Sequence, residues 1–250
     1  TLFRSYKDGG TTSFLLTGEN NFHLLIDAGS RSINELEKEI SPLDLDAVII
    51  SHYHPDHVAD LGVLYHYRLL YPKDKWEPKV LPVYGHNEDD YEFSKLTLPN
   101  VAQGIAYHTN GVEQVGPFNI TFIKTVHPVV CYAMRITERE TGQVLVFTGD
   151  SGYFADLVPF TKGADLFLAD VYLYEGNENH IAHLTSKEAG EIAYNAKVKK
   201  LVLTHVPQFP GEGINPENHL EELRLQSEKY AGGISVDLAQ PHKSWDLGKL

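Results

Sequence analysis

Four side chains that bind borderline transition metals stand within six residues of one another: His52, His54, Asp56 and His57. Neutral imidazole and ionised carboxylate are the donors such cations prefer. The four follow Val48-Ile49-Ile50, an apolar β-branched run that reads as a buried strand. They are therefore expected in the loop leaving that strand, tightened by Pro55. A catalytic zinc usually keeps three protein ligands and one open position. Four ligands in one loop therefore point to two metals sharing it.

The same theme recurs along the chain. Lys124-Thr125-Val126 stops at His127, Val146-Phe147-Thr148-Gly149 at Asp150, and Val202-Leu203-Thr204 at His205. Ligands in α/β architectures collect where strand ends meet loops. One strand ending in histidine is unremarkable, whereas several beside a His-x-His-x-Asp-His segment make a specific pattern.

The elements that must position these residues follow from periodicity. Strands are expected at 11–17 and 22–28 around a turn at Glu19-Asn20-Asn21, and again at 44–50, 80–84, 118–126, 129–137, 143–148, 165–169, 200–204 and 234–238. Helices are expected at 31–40, at 58–70 on the stripe Leu61, Leu64, Tyr65 and Leu69, at 153–161, at 185–199 and at 217–230. Thr185 with Glu188 has the spacing of a capping box. Residues 72–116 and 206–216 read mostly as loops that shape a pocket. Each half offers a hairpin and then strands ending in ligand-type residues. The expected fold is α/β, a four-layer αββα sandwich of two mixed sheets with helices outside, as a single domain over 1–250.

Composition narrows the function. The 250 residues carry 21 basic and 34 acidic side chains, a formal charge of −13. That balance disfavours non-specific nucleic-acid binding, which relies on Lys and Arg neutralising phosphates. A small anionic substrate stays compatible, because bound cations dominate a local field. No apolar run approaches a membrane span, and no basic stretch leading into an apolar run opens the sequence. Cys131 is the only cysteine, so no internal disulfide can form. It is expected to be buried and inert, and a cytoplasmic location is the expectation.

Together, His52-x-His54-x-Asp56-His57, then His127, Asp150 and His205, resemble the metallo-β-lactamase superfamily over nearly the whole chain. Asp27, an acid after a strand, resembles that superfamily's first motif, with a supporting part preferred over metal binding. Ala182-His183-Leu184-Thr185, followed by Ala189 and Ala193, resembles the His-x-Thr segment of the ribonuclease Z group. Leu168-Ala169-Asp170 resembles the acidic segment before it. The resemblance implies two divalent metal ions, usually zinc, with manganese or iron compatible. His52, His54 and His127 would hold the first, Asp56, His57 and His205 the second, and Asp150 would bridge them. A water shared between the two would ionise near a pKa of ~7 and act as the hydroxide nucleophile. His183 is then available to donate to an oxyanion or protonate a leaving group, oriented by Asp170. Asp56, His183 and Asp170 are the catalytic candidates. Dimerisation, as a homodimer, is expected by resemblance only.

The remaining histidines, His23, His66, His86, His108, His180, His219 and His242, are given no role, although His180 and His219 fall in loops near the inferred site, within reach of a substrate. Tyr53 and Tyr153 flank the ligand segments and are read either as pocket lining or as ordinary aromatics. Gly149-Asp150-Ser151-Gly152 resembles the nucleophile segment of chymotrypsin-like proteases, but the partner motifs are absent, so Ser151 is not read as a nucleophile.

The centre alone leaves the substrate open. The ribonuclease Z resemblance favours a phosphodiester. That group usually inserts a long arm between the His and Asp equivalent to His127 and Asp150, whereas here residues 128–149 number only 22, enough for a hairpin. A small or cyclic phosphodiester is therefore expected over tRNA. The alternatives are a lactonase or other carboxylic-ester hydrolase, and a non-catalytic metal-binding module.

Overall fold

A computed structural model describes residues 10–72, 74, 75 and 79–250. The first sheet has the order β1 (Phe14–Thr17), β2 (His23–Ile26), β3 (Ala47–Ile49), β4 (Leu81–Gly85) and β5 (Ala102–Ala106). β1 and β2 form an antiparallel hairpin, and β2 to β5 run parallel. The second sheet comprises β6 (Glu113–Val115), β7 (Phe118–Lys124), β8 (Tyr132–Glu138), β9 (Val144–Phe147), β10 (Leu166–Leu173), β11 (Leu184–Thr185), β12 (Lys200–Thr204) and β13 (Ser235–Leu238). Its order is β13-β12-β10-β9-β8-β7-β6, with the short β11 also paired to β10. β6 to β9 alternate antiparallel, while β9, β10, β12 and β13 are parallel.

The strand sequences explain the layering. Successive side chains of a strand point to opposite faces, so a strand buried on both sides reads as a continuous apolar run. Leu24, Ile26, Ala47 and Ile49 meet Phe147, Leu166, Leu168 and Val202 in the core between the sheets. Their neighbours Leu25, Val48 and Ile50 face outward onto α1 (Ser32–Leu36) and α3 (Leu61–Leu70). On the other side, Val146, Phe167, Ala169 and Leu201 pack under α5 (Leu157–Thr161), α6 (Ser186–Ala196) and α7 (His219–Tyr230). The αββα sandwich with two mixed sheets is thus the observed fold.

Several expectations need correction. α1 is half the length expected for 31–40. In α3, Leu69 is 45% exposed, and Arg68 takes the buried place instead. Its two terminal guanidinium nitrogens donate there to the carbonyls of Pro42, Leu43 and Lys79. Within 72–116 the expected strand is β4, and the described residues add a short helix α4 (Asp90–Ser94), β5 and β6, which were not expected. Among the described residues no helix is long and apolar enough to cross a membrane.

Candidate metal centre

The ligand-type residues come from five places in the chain and meet at the strand ends where the two sheets face each other. β3 delivers His52 and His54 directly. Asp56 and His57 do not lie in a loop, as expected, but in α2 (Pro55–Val58). Pro55 occupies the first helical position, where its fixed φ and missing N–H suit a helix start. That single turn swings Asp56 and His57 towards the point His52 and His54 face. His127 comes from the β7–β8 connection. Asp150 follows β9 through Gly149, whose φ of +59° turns the chain in a region that side chains rarely adopt. His205 follows β12 at φ +49°, a left-handed value uncommon for a non-glycine residue.

Two clusters share Asp150. In the first, His52 Nε2 and His127 Nε2 lie 3.1 and 3.2 Å from His54 Nδ1. Asp150 Oδ2 is 3.7 Å from His52 Nε2 and 4.0 Å from His127 Nε2. In the second, His205 Nε2 is 3.1 Å from Asp56 Oδ2, and His57 Nε2 is 3.7 Å from the same oxygen. Asp150 Oδ1 lies 3.2 Å from His57 Nε2, and Oδ2 lies 3.5 Å from His205 Nε2. The donor atoms of His52, His54, His127 and Asp150 all fall within 4.8 Å of one another, as do those of Asp56, His57 and His205.

The backs of the rings explain why nitrogen lone pairs converge here. Nδ1–H of His57 donates to Asp27 Oδ2 at 2.7 Å. Ser51 donates to Asp27 from both its N–H and its hydroxyl, so its Oγ is left to accept from His52 Nδ1–H at 3.1 Å. His127 Nδ1–H donates to the Ala182 carbonyl at 3.2 Å. In each case the contact is made by Nδ1, which leaves Nε2 turned towards the centre. Such outer contacts fix ring and tautomer in metal-binding histidines. Asp27 therefore supports the centre from behind, as anticipated.

Charge follows the same logic. Burial, reinforced by the neighbouring His57, pushes His52 well below the ordinary imidazole range. Burial acts the same way on His57, but Asp150 and Asp27 outweigh it and lift the ring to about 10. His205 is likewise raised against the effect of burial, by Asp150 and then Asp170. The same carboxylates that favour a proton on these two rings would favour a divalent ion, which competes with that proton because metal ligands must be deprotonated. His57 Nε2 and Asp150 Oδ1 are buried and have no hydrogen-bond partner, which is how a donor set fitted to a cation looks.

Asp170 lies inside β10, not at its end as expected, because the strand runs on to Leu173. Its Oδ2 accepts from the Ser151 N–H at 3.0 Å and from His183 Nδ1–H at 2.8 Å. Its Oδ1 stands 3.4 Å from His205 Nδ1. His183, just ahead of α6 with its Thr185–Glu188 capping box, holds its ring 5.1 Å from His205 and 5.7 Å from His127. Ser151 is fully buried and donates to the Gly152 carbonyl, so it is no nucleophile. Cys131 is buried, as expected.

Two neighbours of the centre, His180 and Tyr172, were set aside or missed. His180 stacks on His183, with centroids 6.0 Å apart and planes 12° apart. Tyr172 touches both His183 and His205. His86 is buried against Tyr53, whose hydroxyl donates to the His86 carbonyl. Tyr53 thus belongs to the packing around β4. The sequence offered two signals: the nearness of His180 to His183 in the chain, and the strand period that places Tyr172 on the same face as Asp170.

Comparison with known proteins agrees with this geometry. Residues 23–206 match the family model of the β-lactamase superfamily domain. The chain is 41% identical over 236 residues to the probable metallo-hydrolase YhfI of Bacillus subtilis, covering 94% of this chain and 92% of that one. The crystal structure of YhfI, described as a metallo-β-lactamase fold protein, superposes with a TM-score of 0.87 at 35% identity, covering 98% and 96% of the two chains. The ribonuclease Z of Sulfolobus acidocaldarius is 23% identical over 241 residues, 77% of this chain and 81% of its own. A diphosphatase of the PhnP family shares the fold, with a TM-score of 0.69 at 16% identity over 93% of this chain and 82% of its own. The chain therefore belongs to the metallo-β-lactamase superfamily of metal-dependent hydrolases, as a member related to ribonuclease Z.

Proposed function

We propose that this chain hydrolyses a small phosphodiester, cyclic ones included, at a centre for two divalent cations, zinc being the first candidate. His52, His54, His127 and Asp150 would hold one ion; Asp56, His57, His205 and the same Asp150 would hold the other. Cations in such a pair acidify a water and polarise the bond under attack. Everything else falls to the protein. Asp27, Ser51 and the Ala182 carbonyl keep the imidazole lone pairs aimed inward. Asp170 does two tasks: it faces the back of His205 and takes the Nδ1 proton of His183.

The observation that carries the phosphodiester reading is the His183–Asp170 pair beside the ligand cluster. With Nδ1–H committed to Asp170, Nε2 is the end of His183 that can deliver a proton to a departing alkoxide oxygen. The carboxylate stabilises the imidazolium that precedes the transfer. A phosphodiester needs that proton because its leaving oxygen departs as a strong base. The reading of a small substrate over tRNA is supported by the short β8–β9 hairpin between His127 and Asp150 and by the charge of −13.

The test is hydrolysis of bis(p-nitrophenyl) phosphate and of a simple lactone, side by side. The protein is stripped of metal and reloaded separately with zinc and with manganese. Asp150→Ala and His183→Ala serve as controls. Turnover of the phosphodiester, lost in Asp150→Ala, is expected; His183→Ala should lose far more activity on a diester with an alkoxide leaving group than on bis(p-nitrophenyl) phosphate, whose p-nitrophenolate departs as a weak base. Turnover of the lactone alone, indifferent to His183, would move the chain to carboxylic-ester hydrolysis.

A further inference from the structure

β10 carries one more inward-facing side chain beyond Asp170. Leu168 lies in the core between the sheets, Asp170 reaches the centre, and Tyr172, two residues further on, comes to the same face. Its ring lies 5.1 Å from His183 and 5.8 Å from His205, yet it is 37% exposed. His180 stacks on the far side of the same array, ring to ring with His183. Tyr172 is thus a phenol ring standing at the mouth of the centre, against the histidine that faces the leaving group. Exposed Tyr153 and Ile181, which adjoin Gly152 and Ala182 in the chain, add apolar surface nearby.

Charge around this mouth is one-sided. The segments that supply the site and its neighbours, 50–57, 86–90, 125–131, 148–154, 170–185 and 204–216, contain no Lys and no Arg. They contain Glu88, Asp89, Asp90, Glu175, Glu178 and Glu212. Lys124, at the base of the His127 loop, is paired with Glu88 at 2.7 Å. Lys229, from α7, stands 3.3 Å from Glu175. A substrate bearing further phosphates would find no cationic side chain from these segments to receive it.

We propose that Tyr172 is a specificity-determining residue whose ring packs on a planar aromatic group of the substrate, and that the site takes singly charged aromatic phosphodiesters and rejects polyanionic ones. This rests on the phosphodiester reading for the reaction, but the two fail separately. Stacking on a protein ring contributes enough to be read directly, since removing one such ring weakens binding of a base by about tenfold or more.

The experiment is calorimetric binding of diphenyl phosphate and dimethyl phosphate to zinc-loaded protein, in wild type, Tyr172→Ala and Tyr172→Phe. Diphenyl phosphate should bind about tenfold more tightly than dimethyl phosphate in wild type and in Tyr172→Phe, and should lose that advantage in Tyr172→Ala. On bis(p-nitrophenyl) phosphate, Tyr172→Ala should raise KM and leave kcat nearly unchanged. The p-nitrophenyl ester of thymidine 5′-phosphate should be cleaved more efficiently than the same ester carrying a 3′-phosphate. Equal binding of the two phosphates, an advantage that survives in Tyr172→Ala, or equal cleavage of the two thymidine esters would overturn the proposal. Should Tyr172→Ala fold poorly on thermal melting, Tyr172→Leu supplies the same comparison. Aromatic-selective binding that depends on Tyr172, with no phosphodiester hydrolysed, would sink the reaction reading and leave the binding inference standing.

Discussion

Nδ1 of His57 lies 2.7 Å from Oδ2 of Asp27, with both side chains fully buried. The pair links the end of β2 to α2, and it decides which nitrogen of His57 faces the ligand cluster. Asp27 also receives the Ser51 N–H and hydroxyl, and Ser51 in turn holds His52. One carboxylate therefore aligns a ring in each half of the centre.

Asp27→Asn should separate this alignment from the fold. Asp27 has φ +56°, a left-handed conformation that asparagine adopts readily, so the backbone should be retained. One carboxylate oxygen becomes an amide donor and faces another donor. Zinc affinity should fall by roughly 10- to 100-fold while circular dichroism stays native. Unchanged affinity by competition with a chromogenic chelator would show that the Asp27 contacts do not tune the centre.

His183→Ala tests whether this ring binds metal or handles protons. Donor atoms of His183, Asp170, Asp150 and His205 fall within the same distance of one another as the ligand sets do, so a ligand role is a real competitor. The expected result is an unchanged metal stoichiometry by elemental analysis with kcat lowered by about 10²- to 10⁴-fold. Loss of an ion in the variant would make His183 a ligand.

Gly152→Ala should disturb the same histidine from behind. A Cβ at Gly152 would lie 2.0 Å from the His180 carbonyl oxygen, a backbone atom that cannot swing away like a side chain. The strand bridge from Gly152 to Val126 opposes relief in the other direction. Destabilisation of about 1–3 kcal/mol is expected from such overpacking, with a displaced His180–His183 segment and reduced kcat. A melting temperature and kcat equal to wild type would contradict this close approach.

The tail supplies a pH prediction away from the centre. His242 bonds Glu39 at 2.6 Å and Glu35 at 2.7 Å, tying the tail to α1 and the residues after it. Those bonds, first to Glu39 and then to Glu35, raise the His242 pKa. A pKa raised by folding contributes stability that is fully present below the unfolded value of ~6.5 and is lost as pH rises through the folded value. His242→Ala should therefore lower the melting temperature at about pH 6 and make little difference at about pH 9. A difference of the same size at both pH values would mean the contact does not depend on the imidazolium charge.

How much of this was legible in the sequence follows from the range of each interaction. His52, His54, Asp56 and His57 stand out because metal chemistry restricts donor types and their spacing is local. The strands before Asp150 and His205 are legible because burial on both faces leaves an uninterrupted apolar run, and the strand before His127 because one buried face leaves an alternating one. β5, Ala-Gln-Gly-Ile-Ala, is not, because only its pairing with β4 makes it a strand. The run-on of β10 past Asp170 is equally hidden, since its far end is held by pairing with β11. The sequence by itself thus determined which residues form the His/Asp cluster and the sandwich that gathers them. Tertiary structure alone decided that Asp27, 30 residues before His57, selects its tautomer. It alone decided that Asp170 serves His183 and His205 together, and that Tyr172 meets both rings. Those contacts join side chains far apart in the chain, and no local pattern of types or spacing encodes the direction in which such groups point.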